Sequence, residues 1–150
     1  MSDIDYVAQA RALRQRLGGS RYAELIGWSI DALAPDEARL SVAPREHLLD
    51  AGGAIHTGVI ASAIDAAAAC AVYADPAGPA EGYGATVSLF VSQLEAPAPD
   101  SGIVVSSRVR KRGKSICVVD VNVEDETGVL IATGSATYKR GVSLGTGKRN

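Results

Sequence analysis

The chain has 150 residues, of which 47% are apolar and 21% charged, and its formal net charge is -2. That length suits one domain with one core, and the apolar content excludes a disordered chain. Fifteen basic residues against seventeen acidic ones leave no overall field for nucleic acid or an anionic membrane surface.

From Met1 to Leu17 charged and apolar residues alternate, which is not the pattern of a secretion signal. Residues 4–17 are expected to form an amphipathic helix, with Val7, Ala10, Leu13 and Leu17 on one stripe, Arg11, Arg14 and Arg16 off it, and Gly18-Gly19 as its stop. An apolar strand is expected over Leu25–Leu33, then a turn at Pro35-Asp36. Next comes a half-buried strand in which Ala38, Leu40 and Val42 alternate with Glu37, Arg39 and Ser41. Pro44 to Gly53 reads as a loop. A helix over about 56–74 follows, apolar on all faces and stopped by Asp75-Pro76-Ala77-Gly78-Pro79. Its stretch Thr57–Ala74 carries one charge, Asp65, and many small side chains. A membrane span needs roughly twenty strongly apolar residues, so this reads as a helix enclosed by its own protein.

Four strand-like runs complete the chain. Ala85–Leu94 sets Ala85, Val87, Leu89 and Val91 against Thr86, Ser88 and Ser92; Ile103–Lys111 sets Ile103, Val105 and Val109 against Arg108 and Arg110. Ser115–Glu124 sets Cys117, Val119, Val121 and Val123 against Asp120 and Asn122, and Val129–Arg140 is the last. Arg112-Gly113-Lys114 and Asp125-Glu126-Thr127-Gly128 have the composition of hairpin turns. Residues 1–140 are read as one domain and 141–150 as a flexible tail. Antiparallel runs with an early inserted helix imply an α+β domain. One flat sheet cannot cover a helix apolar all round, so the sheet curls around it, a second copy covers it, or both; both is the favoured reading.

The informative stretch runs from Asp50 through Gly53, His56, Thr57 and Gly58 to Ser62 and Asp65. A carboxylate in an apolar helix is costly unless paired, protonated or used, and desolvated carboxylates are the groups from which general bases are made. His56 precedes Asp65 by nine residues, about 13 Å at 1.5 Å per residue, so the two cannot touch within one helix. Acting together, they come from two protomers. The first N–H groups of the helix are unpaired and carry partial positive charge, and Gly58 leaves room for an anionic oxygen there. A helix amino terminus facing a carboxylate is a combination that serves acyl transfer to water. Equally open are a structural Asp65 bonded to a neighbour and a His56 that only caps the helix. Ser62 and Cys70 read as packing residues. Cys70 and Cys117 are too few for a disulfide framework and form no zinc site, which fits a reducing, cytoplasmic setting.

Asp50-x-x-Gly53-x-x-His56-x-Gly58 followed by Asp65 resembles the active-site motif of hotdog-fold acyl-CoA thioesterases of the phenylacetate-pathway (PaaI-like) type, Asn-x-x-Gly-x-x-His-Gly-Gly with an Asp nine after the His. The resemblance extends from Ile26 to Tyr138 and includes Thr86, the Leu94–Pro97 strand exit and the Arg112-Gly113-Lys114 turn. It implies a homo-oligomer, a dimer or a dimer of dimers, with sites at the protomer interface. In each site Asp65 of one chain activates water or attacks the thioester directly. The backbone N–H of Thr57, beside Gly58, holds the oxyanion in the other chain, with His56 and Asp50 completing the catalytic set. Substrate contacts are implied for Gly53, Ser62, Thr86 and Ser88, and for Arg112, Gly113, Lys114 and Ser115 near the coenzyme A phosphates; those turn cations otherwise read as a solvated hairpin tip. The substrate is then a small-molecule acyl-CoA, with no separate cofactor, no metal, no nucleic acid and no membrane.

Three positions depart from the pattern. Asp50 replaces the Asn, and an ionised Asp only accepts hydrogen bonds, so it repels a developing oxyanion. In one arrangement Asp50 of one chain and Asp65 of the other share a site and one proton. Thr57 replaces the first Gly with a branched side chain. Ser88 and Phe90 stand where relatives carry Asp and Asn, so the acyl group does not transfer by analogy. Two other functions remain: a non-catalytic acyl-CoA-binding module, which Asp50 and Thr57 favour, and an enoyl-thioester hydratase or dehydratase.

Overall fold

A computed structural model describes residues 6–77 and 83–142. Ser20 and Gly27 decide how the chain enters its sheet. The Ser20 side chain accepts from Ala23 N at 3.0 Å, and Gly27 ends the turn at φ 69°, so a short helix lies where a strand was expected to begin. Helix α1 (Tyr6–Gly18) is followed by α2 (Arg21–Ile26), and the first strand, β1, starts only at Trp28 and ends at Ala34. Leu25 and Ile26 are therefore helical, a correction to the expected strand over Leu25–Leu33. On α1, Ala10 and Leu13 are buried as expected, but Val7 is 73% exposed.

Strand β2 (Glu37–Val42) leads through a 3₁₀ turn (Glu46–Leu48) to the long helix α3 (Thr57–Tyr73), and then come β3 (Tyr83–Gln93), β4 (Ile103–Arg112), β5 (Ile116–Asp125) and β6 (Leu130–Val142). All six strands form one antiparallel sheet in the order β1-β2-β4-β5-β6-β3. The period-two patterns of β2, β4 and β5 bury Leu40, Val105, Val119, Val121 and Val123 against α3. Gly134 on β6 lets the helix approach closely, since a Cβ there would lie 2.7 Å from Ile64 Cγ2. The sheet thus curls around α3, as the all-round apolar helix requires. From Val59 to Tyr73 every residue of α3 is buried except Ala61, Ser62 and Asp65.

Two differences matter for the site. Strand β3 is an edge, and its register slips between Thr86 and Ser88. That bulge turns Thr86 to the same side as Leu89 and leaves Ser88 out, whereas simple alternation put Thr86 with Ser88 and opposite Leu89. Strand β4 also runs on through Arg112, so the hairpin turn is made by residues 113–115, closed by Gly113 N donating to Ile116 O at 2.8 Å. Strand β6 continues to Val142, two residues beyond the expected end. The rest of the expected tail, and Gly78-Pro79 of the helix stop, lie outside the described residues. No helix among the described residues is long and apolar enough to cross a membrane.

Candidate active site

The amino terminus of α3 is built by a folded loop and a histidine cap. Asp50 Oδ1 accepts from Gly52 N at 2.8 Å and Ala54 N at 3.1 Å, and Gly53 adopts φ 81° to complete the turn. His56 N then donates to Leu48 O at 2.9 Å, which sets the residue as the helix cap. Its Nδ1 accepts from Gly58 N at 2.9 Å, so the proton of a neutral ring sits on Nε2 of this exposed residue. Gly58 is needed for this contact, because a Cβ there would lie 3.1 Å from Nδ1. The Gly58 N–H is therefore taken by His56, and the free first-turn donor is Thr57 N–H, for which no protein acceptor is present among the described residues. The Thr57 hydroxyl donates to Gln93 Oε1 at the end of β3, which holds the branched side chain against the sheet.

Two turns further on, Asp65 lies in the uncovered strip of α3. Thr86 Oγ1 donates to Asp65 Oδ1 at 2.6 Å, and Oδ2 has no protein partner among the described residues. Around this pair opens a cleft of about 520 Å³, with Ser62, Ala66 and Ala69 on its floor and Tyr22, Trp28 and Tyr138 on its walls. Within one protomer the structure brings Asp65, Thr86 and Ser62 together. It keeps His56, Thr57 and Gly58 at the helix end, nine residues away along the axis, about 13 Å.

Over residues 52–132 the sequence matches the thioesterase superfamily. The chain belongs to that family. Its curled sheet around one helix is the hotdog fold. The E. coli PaaI protein from the phenylacetic acid degradation operon superimposes with a TM-score of 0.78 at 16% identity, covering 91% of this chain and 96% of that one. A thioesterase family protein from Silicibacter pomeroyi gives 0.76 at 21% identity, with 87% and 96% covered. The phenylacetic acid degradation protein PaaI of Thermus thermophilus, solved as an Asn-to-Asp mutant, gives 0.70 at 22%, with 81% and 99% covered. At these identities the likeness is one of fold. No curated protein sequence matches the chain.

In this thioesterase-superfamily chain the remaining expected residues fall elsewhere. Arg112 is not a free cation at a hairpin tip. Its side chain is 18% exposed, pairs with Asp36 at 2.6 Å and Asp75 at 3.1 Å, and donates to the carbonyls of Ala71 and Val72 at the end of α3. Arg140 joins the cluster through Asp75. With its fifth N–H directed at Cys117 Sγ at 3.9 Å, a guanidinium so engaged neutralises the helix carboxyl end and has no donor free for phosphate, which corrects its reading as a coenzyme A contact. Lys114 and Ser115 are exposed in the turn, where their carbonyls accept from Arg140. Gly113 permits the tight turn, since a Cβ would come 2.6 Å from Ile116 O. Ser88 is not among the cleft residues, because of the bulge at Thr86. Burial pushes the Cys70 thiol up to about 12, so it stays protonated at neutral pH and is no nucleophile. Sequence reading missed Tyr22, Trp28 and Tyr138 as cleft walls. Only the Ser20–Gly27 helix signal pointed to Tyr22, and nothing local pointed to the other two.

Proposed function

We propose that this hotdog chain hydrolyses acyl thioesters of coenzyme A, with Asp65 as the base. Asp65 Oδ2 takes a proton from water, the hydroxide adds to the thioester carbonyl, and the oxygen of the tetrahedral adduct becomes anionic. Thr57 N–H of a second protomer stabilises that oxygen, as a helix amino terminus does for developing negative charge. Collapse expels the coenzyme A thiolate, which takes the proton back from Asp65, leaving a carboxylic acid and free thiol. Direct attack by the carboxylate is the variant of this step that makes an acyl-enzyme anhydride. Thr86 holds the other carboxylate oxygen throughout.

The observation that carries this reading is the Asp65 carboxylate, oriented by Thr86 on the one strip of a buried helix left open to a cleft. Two protomers are needed because the helix end and Asp65 of one chain lie too far apart to meet on one carbonyl. The exposed edge strand β3, with Phe90 69% and Val87 60% exposed, offers the joint. Lys114, exposed in its turn, is the cation we assign to the coenzyme A phosphates, and the setting is cytoplasmic.

Thiol release from a panel of acyl-CoAs, wild type beside Asp65→Asn, tests the proposal. Turnover by wild type that the mutant loses supports it, and turnover unchanged in the mutant overturns it. Tight acyl-CoA binding without turnover by wild type would make the chain a binding module instead. Sedimentation of the active protein must show at least a dimer.

A further inference from the structure

The floor of the cleft runs along α3 from Ala61 past Asp65 to Ala69, about 12 Å at 1.5 Å per residue. Behind it the helix is sealed, since Ile60, Ile64, Ala67 and Ala68 are 0% exposed, so no channel leads an acyl chain into the core. Two of the aromatic walls are fixed in that core. Tyr138 is 6% exposed, meets Tyr73 edge-on at 6.0 Å, and lies on Gly84, where a Cβ would come 2.1 Å from its ring. Trp28 packs on the core from β1.

Tyr22 is held differently. It comes from α2 and is 55% exposed. Its hydroxyl meets Ser62 Oγ at 2.5 Å, and Ser62 Oγ donates to Gly58 O at 2.8 Å. Ser62 has one proton and gives it to Gly58, so the Tyr22 phenol is the donor to Ser62. The ring is thereby pinned to the helix three residues before Asp65 and stands across the cleft at that end.

We propose that Tyr22, anchored by Ser62, is the specificity-determining wall of the site, limiting the length of the apolar acyl groups it takes. An acyl chain extended toward that end of the cleft meets the Tyr22 ring, and the sealed helix face beneath offers it no way down. Ser62 is then a positioning residue, acting on substrate through Tyr22. The inference rests on the thioesterase reading for its substrate, and a binding measurement tests it where turnover fails.

Butanoyl-, octanoyl- and dodecanoyl-CoA are compared on wild type, Tyr22→Ala, Tyr22→Phe and Ser62→Ala. In Tyr22→Ala, kcat/KM for dodecanoyl-CoA relative to butanoyl-CoA is expected to rise about tenfold, through KM and not kcat, as for a pocket gaining room for several methylenes. Tyr22→Phe keeps the ring and the fold but frees the anchor, and Ser62→Ala does the same from the other side. These two are expected to shift the profile in the same direction and by similar, smaller amounts. A chain-length profile unchanged in all three variants overturns the proposal, and so does a Tyr22→Ala that scales all three substrates equally. Should wild type turn over no thioester, the hydrolase reading fails by itself. The wall is then read by binding of the same three acyl-CoAs to wild type and Tyr22→Ala, followed through Trp28, the one tryptophan of the chain. A relative gain in affinity for dodecanoyl-CoA supports the wall, and an unchanged order of affinities overturns it.

Discussion

The Thr86 hydroxyl donates to Asp65 Oδ1 at 2.6 Å across the gap between β3 and α3, and the bulge after Thr86 is what aims it there. A hydrogen bond to a charged group contributes about 1.5–3 kcal/mol. Thr86→Val is therefore expected to lower kcat for acyl-CoA hydrolysis at least tenfold, about 1.4 kcal/mol in the barrier, with little change in KM. Thr86→Ser keeps the donor and stays near wild type. Asp65→Asn loses on the order of 10² or more. Equal kcat in wild type and Thr86→Val would sink the orienting role.

His56 caps α3 through Nδ1 and so has a structural task that can be separated from a chemical one. His56→Ala is expected to destabilise the fold by about 1 kcal/mol, and His56→Asn, whose side-chain oxygen also accepts from the first turn, to recover most of that. Urea unfolding reads the stability. Loss of hydrolysis in both variants then assigns catalysis to the Nε2–H, and full activity in His56→Asn confines the residue to capping.

Arg112 closes the far end of α3 by joining β4, the β1–β2 turn and the helix carbonyls. Removing one member of such a largely buried charge cluster leaves its partners uncompensated. Arg112→Met is expected to cost about 3 kcal/mol, the lower end for a broken buried pair because Arg140 stays on Asp75. Arg112→Lys restores little, since a single ammonium cannot reach two carboxylates and two carbonyls in one plane. A urea midpoint unmoved by Arg112→Met would contradict this account.

How far the sequence carried the fold follows from what is local. Strands β2, β4 and β5 and helix α3 were legible because their periodicity is the packing itself: alternate valines bury, and a helix with no polar face must be wrapped. The α2–β1 boundary was not, because Leu25, Ile26 and Trp28 are apolar on either side of Gly27 and fit helix or strand alike. Strand β3 misled because one bulged residue inverts the inside–outside rule, and a bulge leaves no composition signal. The sequence put Thr57 and Asp65 on the long helix and His56 at its start, where the structure has them. The Arg112 cluster was not legible because its carboxylates stand 76 and 37 residues away, nor was the Tyr22–Ser62 contact, which spans 40 residues.

Asp125 ties the β5–β6 turn and contributes to the acid sensitivity of the fold. The Thr127 hydroxyl holds its carboxyl below the usual carboxylate range, against burial that pushes it up, with further help from the N–H groups of Val129, Thr127 and Ala98. The folded form thus binds its proton less tightly than the unfolded chain does. Its stabilising contribution is present above the unfolded value, about 3.9, and is lost as pH falls through the lower folded one. Thermal unfolding should show wild-type Tm dropping below about pH 4. Asp125→Asn, which sets an amide against Ala98 N–H, should have a lower Tm at neutral pH and a flatter acid limb. Parallel Tm-against-pH curves for the two proteins would refute the assignment.

Of the two carboxylate oxygens of Asp50, Oδ1 alone takes part in the loop. Oδ1 accepts from Gly52 and Ala54 and shapes the loop before His56, a task an Asn oxygen performs equally well. Asp50→Asn therefore keeps the loop and replaces only Oδ2, turning an acceptor into an N–H₂ donor. If Asp50 faces the thioester of a neighbouring Asp65, that change removes a charge that repels the oxyanion and adds a group that stabilises it. The expected result is unchanged stability with kcat raised about tenfold, the effect of roughly one added donor at its weak end. A drop in kcat would show instead that the carboxylate itself takes part, as it must if Asp50 and Asp65 share a proton across the protomer interface. An unchanged kcat would place residue 50 in the loop alone.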